Sequence, residues 1–212
     1  MKKNIFFIAI SFCLLSFSAG KHNTQDGWIS LFDGKSFKDW KVGKNASTFS
    51  VDSGMIIVNG PTAHLFYVGD VKTHVFTNFE FKASVMTTPG SNSGIYFHTV
   101  YQEASWPEKG FEVQVNNSHT DWKRTGSLYD IQDIKEVYVK DYEWFTEYIK
   151  VEGKHVIVKI NDKQVVDYTE PENTKAPGDH SGRVISNGTF ALQGHDPKSK
   201  VYFKDIMVKP LP

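Results

Sequence analysis

Short apolar/polar alternations recur along this chain, and no stretch keeps a helical period over three turns. The longest runs from Phe76 to Thr87, with Phe79, Phe81, Ala83 and Val85 on one face and Glu80, Lys82, Ser84 and Met86 on the other. Further strands are expected at Trp28–Phe32, Thr48–Val51, Met55–Asn59, His64–Val68, Trp144–Val151, His155–Ile160, Val165–Tyr168, Gly188–Gln193 and Val201–Val208. Asp33-Gly34, Asp52-Ser53-Gly54, Glu152-Gly153-Lys154 and Asn161-Asp162 supply turn chemistry between them. A run of short strands closed by turns predicts an all-β fold of two packed antiparallel sheets, with the last strand returning beside the first.

Two alternations stand apart from the rest. In Gly94–His98, Ile95 and Phe97 face one way and Tyr96 and His98 the other; in Phe111–Asn116, Phe111, Val113 and Val115 oppose Glu112, Gln114 and Asn116. A solvated strand face usually carries Lys, Thr and Glu, so Tyr, His, Glu, Gln and Asn together suggest a sheet that grips a polar ligand. Phe190–His195 has the same character, with Ala191, Gln193 and His195 opposite Phe190 and Leu192. If the three strands share a sheet, Tyr96, His98, Glu112, Gln114, Gln193 and His195 converge on one face, with Asn92 and Ser93 at its rim. The segment 100–109, with Trp106-Pro107, is an irregular excursion between two of these strands, and Thr125–Tyr129 is a tight turn that brings Tyr129 toward them.

The N-terminus changes the picture of compartment. Met1-Lys2-Lys3, an apolar run from Ile5 to Phe17 and small residues to Gly20 form an export signal over residues 1–19. The run is too short for a membrane span, so no transmembrane anchor is expected after cleavage, and the location is periplasmic or extracellular. The sole cysteine, Cys13, lies within it, which leaves residues 20–212 as one domain with neither disulfide nor thiol chemistry. Lys plus Arg equals Asp plus Glu at 24 each, giving no electrostatic reason for a nucleic-acid partner. Aromatic residues make up 14% of the chain, a composition suited to cores and to stacking on sugar rings. The oligomeric state is not legible.

An ordinary glycosidase needs two carboxyl groups about 5 to 9.5 Å apart. Glu112 is one candidate, but its strand face then offers only Gln114 and Asn116; Glu103 and Glu108 lie on the adjacent loop with nothing to fix them. A single-carboxylate mechanism or simple carbohydrate binding fits better. Glu112, His98 and His195 can alternatively hold one divalent metal ion, with Gln114 or water completing the shell. No organic cofactor is expected.

Leu31–Trp40 (LFDGKSFKDW), Asn92–His98 (NSGIYFH), Gly110–Val115 (GFEVQV), Thr125–Asp130 (TGSLYD), Gly188–His195 (GTFALQGH) and Val201–Val208 (VYFKDIMV) resemble, in order, the 3-keto-disaccharide hydrolase family. His98 and Asp130 depart from it, since family members often carry Arg and Gly there. The resemblance implies a concanavalin A-like jelly-roll sandwich and hydrolysis of glycosides whose glucose unit is already oxidised at C3. A C3 ketone acidifies the C2 proton, so one base suffices: the C1 aglycone leaves by elimination and water adds to the enone. On this view Glu112 is base or metal ligand, His98 and His195 are ligands or proton donors, and Asn92, Ser93, Tyr96, Gln114, Tyr129 and Gln193 contact substrate. A non-catalytic, lectin-like carbohydrate-binding module is the alternative.

Overall fold

A computed structural model describes residues 24–175 and 182–212. The expected export signal lies outside the described residues, as does part of the polar loop that follows Glu170. No helix among the described residues is long and apolar enough to cross a membrane.

The chain forms β1 (Thr24–Gln25), β2 (Trp28–Ser30), β3 (Trp40–Val42), β4 (Phe49–Asp52), β5 (Met55–Val58), β6 (Ala63–Tyr67), β7 (Phe79–Thr87), β8 (Ser93–Thr99), β9 (Phe111–Val115), β10 (Phe145–Glu152), β11 (His155–Ile160), β12 (Lys163–Thr169), β13 (Thr189–Gly194) and β14 (Val201–Pro210). One sheet has the order β1-β2-β14-β7-β10-β11-β12, with β5 on β14 and β4 on β5; the other runs β3-β6-β13-β8-β9. All named pairings are antiparallel, and β14 closes onto β2 through Met207 opposite Ser30. The expected two-sheet sandwich is present. The strand at Trp40–Val42 is an addition that the pattern did not predict; Trp40 is buried there and its indole N–H donates to Leu31 O at 2.7 Å.

Between the sheets, Phe190 of β13 packs against Phe79 and Phe81 of β7 at ring distances of 4.9 and 4.6 Å, and Phe79 meets Phe97 at 5.9 Å. Both sheets therefore bury the apolar set that their alternation marked, the main source of stability in such a sandwich. Their outer faces differ. β7 and β10 alternate buried with partly exposed residues, whereas β6, β8, β9 and β13 are buried at every position. Loops cover the outer face of the smaller sheet, so its polar residues lie in an enclosed cleft and are not washed by solvent.

One residue breaks the period. Between β8 and β13 the register runs Thr99 to Thr189 and then Tyr96 to Ala191, so two residues, Phe97 and His98, face the single Phe190. This is a β-bulge with His98 in the left-handed region at φ 55°. The backbone turns His98 away from the side shared by Tyr96.

Candidate functional site

Glu112 stands at the centre of the covered face. Register places it opposite Tyr96, whose hydroxyl donates to Oε2 at 2.7 Å; Gln193 Nε2 donates to Oε1 at 2.7 Å and to the Tyr96 hydroxyl at 3.2 Å. The carboxyl reaches across β8 at Gly94, where no side chain blocks it. Burial pushes its pKa above the usual 4.5, with Tyr96, Arg183, Gln193 and His195 offsetting part of the rise. Tyr96, buried beside this carboxylate, has its own pKa pushed well above 10.0 and stays a hydrogen-bond donor. A cavity of about 220 Å³ opens over the group, walled by Asn92, Gln114, Tyr129, Arg183, His195 and Trp106 among others. Gln114 Oε1 and Gln193 Oε1 are buried and have no hydrogen-bond partner among the described residues, two acceptors suited to ligand hydroxyls.

On the far side of β9, Tyr129 N–H donates to Glu112 O at 3.0 Å, and Tyr129 O accepts from Arg183 Nη1 at 2.6 Å. Arg183 is buried, stands 3.8 Å from Asp130 Oδ2, and stacks near the Tyr129 ring at 5.1 Å. Lys123 pairs with Asp130 at 2.5 Å. Asp121 and Asp130 also line the cavity, yet Asp121 Oδ1 accepts the Lys123 N–H and Asp130 faces two cations. Glu112 is instead held by neutral donors.

Across β8, on the β13 side, His195 Nδ1 lies 2.9 Å from Asp196 Oδ2. Burial raises the Asp196 pKa, but hydrogen bonds from Ser199, His195 and the Lys198 N–H prevail and hold it at about 2. An ionised acceptor fixes the proton of His195 on Nδ1 and leaves Nε2 to exchange a proton with a ligand. Ser199 Oγ in turn accepts the Asn92 N–H at 2.9 Å, tying this pair to the cavity rim.

Of the residues expected to act together, Tyr96, Glu112, Gln114, Gln193 and His195 are brought to one cavity, joined by Asn92 and Tyr129. His98 is not. The bulge turns it into a buried niche, where its Nδ1 accepts the Ser186 N–H at 3.3 Å and Nε2 faces Thr77 O at 2.9 Å. Burial lowers its pKa to about 4, so it is a neutral structural imidazole. Ser93 is also withdrawn: its hydroxyl donates to Gln193 O at 2.6 Å and ties β8 to β13.

The expected metal set of Glu112, His98 and His195 is therefore not assembled. Among the described residues, one group has ligating atoms close enough to share an ion, His119, His195 and Asp196, all within 4.8 Å. His119 Nδ1 accepts the Asp121 N–H at 3.1 Å, which places the proton of neutral His119 on Nε2. That tautomer makes His119 a donor beside His195 rather than a ready ligand.

Arg183 and Asp121 reach the cavity, and Asp196 and His119 stand against His195, from loops with no periodicity to mark them. Asp196 carried one usable signal, its place directly after His195. Trp106, in the irregular excursion between two of the strands, also lines the cavity.

The fold is shared with solved proteins. A candidate glycosyl hydrolase of Parabacteroides distasonis superposes with a TM-score of 0.74 at 23% identity, covering 91% of this chain and 100% of that one. A carbohydrate-binding module of Bacillus subtilis does so with 0.58 at 12%, covering 81% and 95%. These likenesses show the jelly-roll architecture. A 3-keto-disaccharide hydrolase of Bacteroides thetaiotaomicron is 29% identical over 172 residues, 68% of this chain and 59% of that protein, so the match spans less than two thirds of the relative. Residues 27–209 match the family described as the 3-keto-alpha-glucoside-1,2-lyase-like domain, and the chain belongs to that family.

Proposed function

We propose that the cavity cleaves glycosides whose glucose unit carries a ketone at C3, with Glu112 as the base that removes the C2 proton. The observation that carries this reading is the state of Glu112: a buried carboxyl, oriented by two neutral donors, with its pKa raised. A base matched to a weakly acidic carbon needs such a shift, and orientation by Tyr96 and Gln193 aims it. Arg183, on the β9 side of Glu112, favours negative charge developing on the C3 oxygen. On the β13 side, His195, its Nδ1–H held by Asp196, acts in its imidazolium form, in which Nε2 also carries a proton and gives it to the departing C1 oxygen.

The steps balance. Glu112 takes the C2 hydrogen, the electron pair forms the C1–C2 double bond as the C1–O bond breaks, and the aglycone leaves carrying the proton from His195. Water then adds at C1, giving its proton back to His195, while C2 regains a proton from Glu112; the sum is hydrolysis. The names borne by the family and by the Bacteroides relative support this substrate class. An exported location would place the activity where external glycosides are met.

The test uses purified protein with a 3-keto-glucoside and its unoxidised parent, with and without EDTA, alongside Glu112→Gln. Release of the aglycone from the keto substrate alone, lost in the variant and retained in EDTA, is expected. Loss in EDTA would reassign His195 from proton donor to ligand. Saturable binding of both sugars without turnover would contradict the enzyme and favour a carbohydrate-binding module, a reading that the amide-lined cleft and the Bacillus module keep in play.

A further inference from the structure

We propose that Trp106 is the wall against which the aglycone stacks, that Gln102 is the positioning residue that sets it there, and that the favoured aglycone is accordingly a second sugar ring or an aromatic group. The inference rests on the reading of the cavity as a 3-keto-glucosidase. Trp106 belongs to a stretch, 100–110, with no helix or strand, yet its indole lines the cavity. It is 44% exposed, an unusual state for a tryptophan whose ring also packs at 5.5 Å from His195 and 5.6 Å from His64. The ring is thus backed by two imidazoles while much of its surface stays open.

Its neighbour fixes what it would touch. His195 is the group assigned to protonate the leaving oxygen, so whatever hangs from that oxygen lies beside the indole. Flat apolar faces with a polar edge suit the C–H face of a pyranose or an aromatic ring. Methyl or another small aglycone would fall short of it.

A loop without secondary structure holds such a platform only if other bonds fix it. Gln102 supplies them: Nε2 donates to Ala104 O at 2.7 Å and to Trp106 O at 2.9 Å, and Oε1 accepts the Glu108 N–H at 3.2 Å. One amide thus bridges both sides of Trp106. The base of the loop is pinned as well, by Lys44 N–H to Glu103 O at 2.7 Å and by Tyr101, which lies under Lys41 Nζ at 3.7 Å and against Phe66 at 5.4 Å. His64 behind the indole is a neutral buttress, its pKa lowered to about 4 by burial.

The experiment compares kcat and KM of the wild type, Trp106→Ala, Trp106→Phe and Gln102→Glu on a 3-keto-disaccharide and on methyl 3-keto-glucoside. Trp106→Ala is expected to raise KM more for the disaccharide than for the methyl glycoside, so that the ratio of the two kcat/KM values falls about tenfold. Trp106→Phe recovers most of the loss. Gln102→Glu, which cannot donate to Ala104 O and Trp106 O, reproduces the disaccharide-selective rise with the melting temperature nearly unchanged. Equal losses on both substrates, or none, overturn the inference. Failure of the wild type on both overturns the underlying reading instead, so the two failures are distinguishable.

Discussion

A Cβ placed on Gly94 would stand 2.5 Å from Oε1 of Glu112. The glycine in β8 is therefore the space that the carboxyl of β9 occupies. The obstructing atom is the end of a flexible side chain, so Gly94→Ala can fold by pushing Glu112 aside, at the expense of its bonds to Tyr96 and Gln193. We expect kcat/KM for a 3-keto-glucoside to fall by about a hundredfold or more with the melting temperature within a few degrees. Unchanged activity would show that the position of Glu112 does not matter.

Arg183 is among the groups that hold down the pKa of Glu112 against burial. With Glu112 as base, activity requires the carboxylate and falls on the acid side of its pKa. Arg183→Gln removes a stabilising positive charge, so the acid limb of kcat/KM should move to higher pH as the plateau drops about ten- to a thousandfold. A pH profile displaced only vertically would separate Arg183 from Glu112.

His98 offers the opposite test, a residue that looks catalytic in sequence and is structural in the fold. His98→Ala leaves Thr77 O and the Ser186 N–H without their partner. A loss of about 1–3 kcal/mol in urea unfolding is expected, with kcat of the folded protein within about threefold. The sign of its pH effect follows from burial, which lowers the pKa from 6.5 to about 4. Its contribution is present above 6.5 and lost as pH falls toward about 4, so the variant should show a shallower acid loss of stability.

Glu147 on β10 is fully buried, and neither carboxyl oxygen has a hydrogen-bond partner among the described residues. Burial, and secondarily the charge of Glu112, push its pKa well above 4.5, so it sits in the core as a neutral acid. A raised folded-state pKa means that its stability contribution is intact below 4.5 and is lost as pH rises through the folded value. Glu147→Met should therefore gain roughly 1–3 kcal/mol at pH 8 and less at pH 5, read by urea unfolding at both. Equal or reduced stability at pH 8 would contradict the assignment.

Much of the sandwich was legible because a period of two survives wherever one face is buried, as Phe79, Phe81, Ala83 and Val85 show on β7. The same logic placed Tyr96, Glu112, Gln114 and Gln193 together, since their strands are neighbours in one sheet. It failed at His98, because a bulge is a property of two paired strands and does not show in either alone. Its trace was the pair Gly110 and Gly188: a Cβ on the first would come within 2.2 Å of Phe97 O, and on the second within 2.2 Å of Thr99 O. Arg183 was invisible for a different reason. It is far from Glu112 in the chain, and only the loop's return beside Tyr129 brings it in.

The central claim is that bond cleavage begins at C2, and a 3-keto-glucoside deuterated at C2 tests it most directly. The account predicts slower turnover of the labelled substrate, with the C2 deuterium passed to Glu112 and lost to ordinary water whenever that carboxyl exchanges before it returns a proton to C2, and no turnover in Glu112→Gln. Release of a sugar that keeps its C2 deuterium, at the unlabelled rate, would mean displacement at C1 and would contradict it.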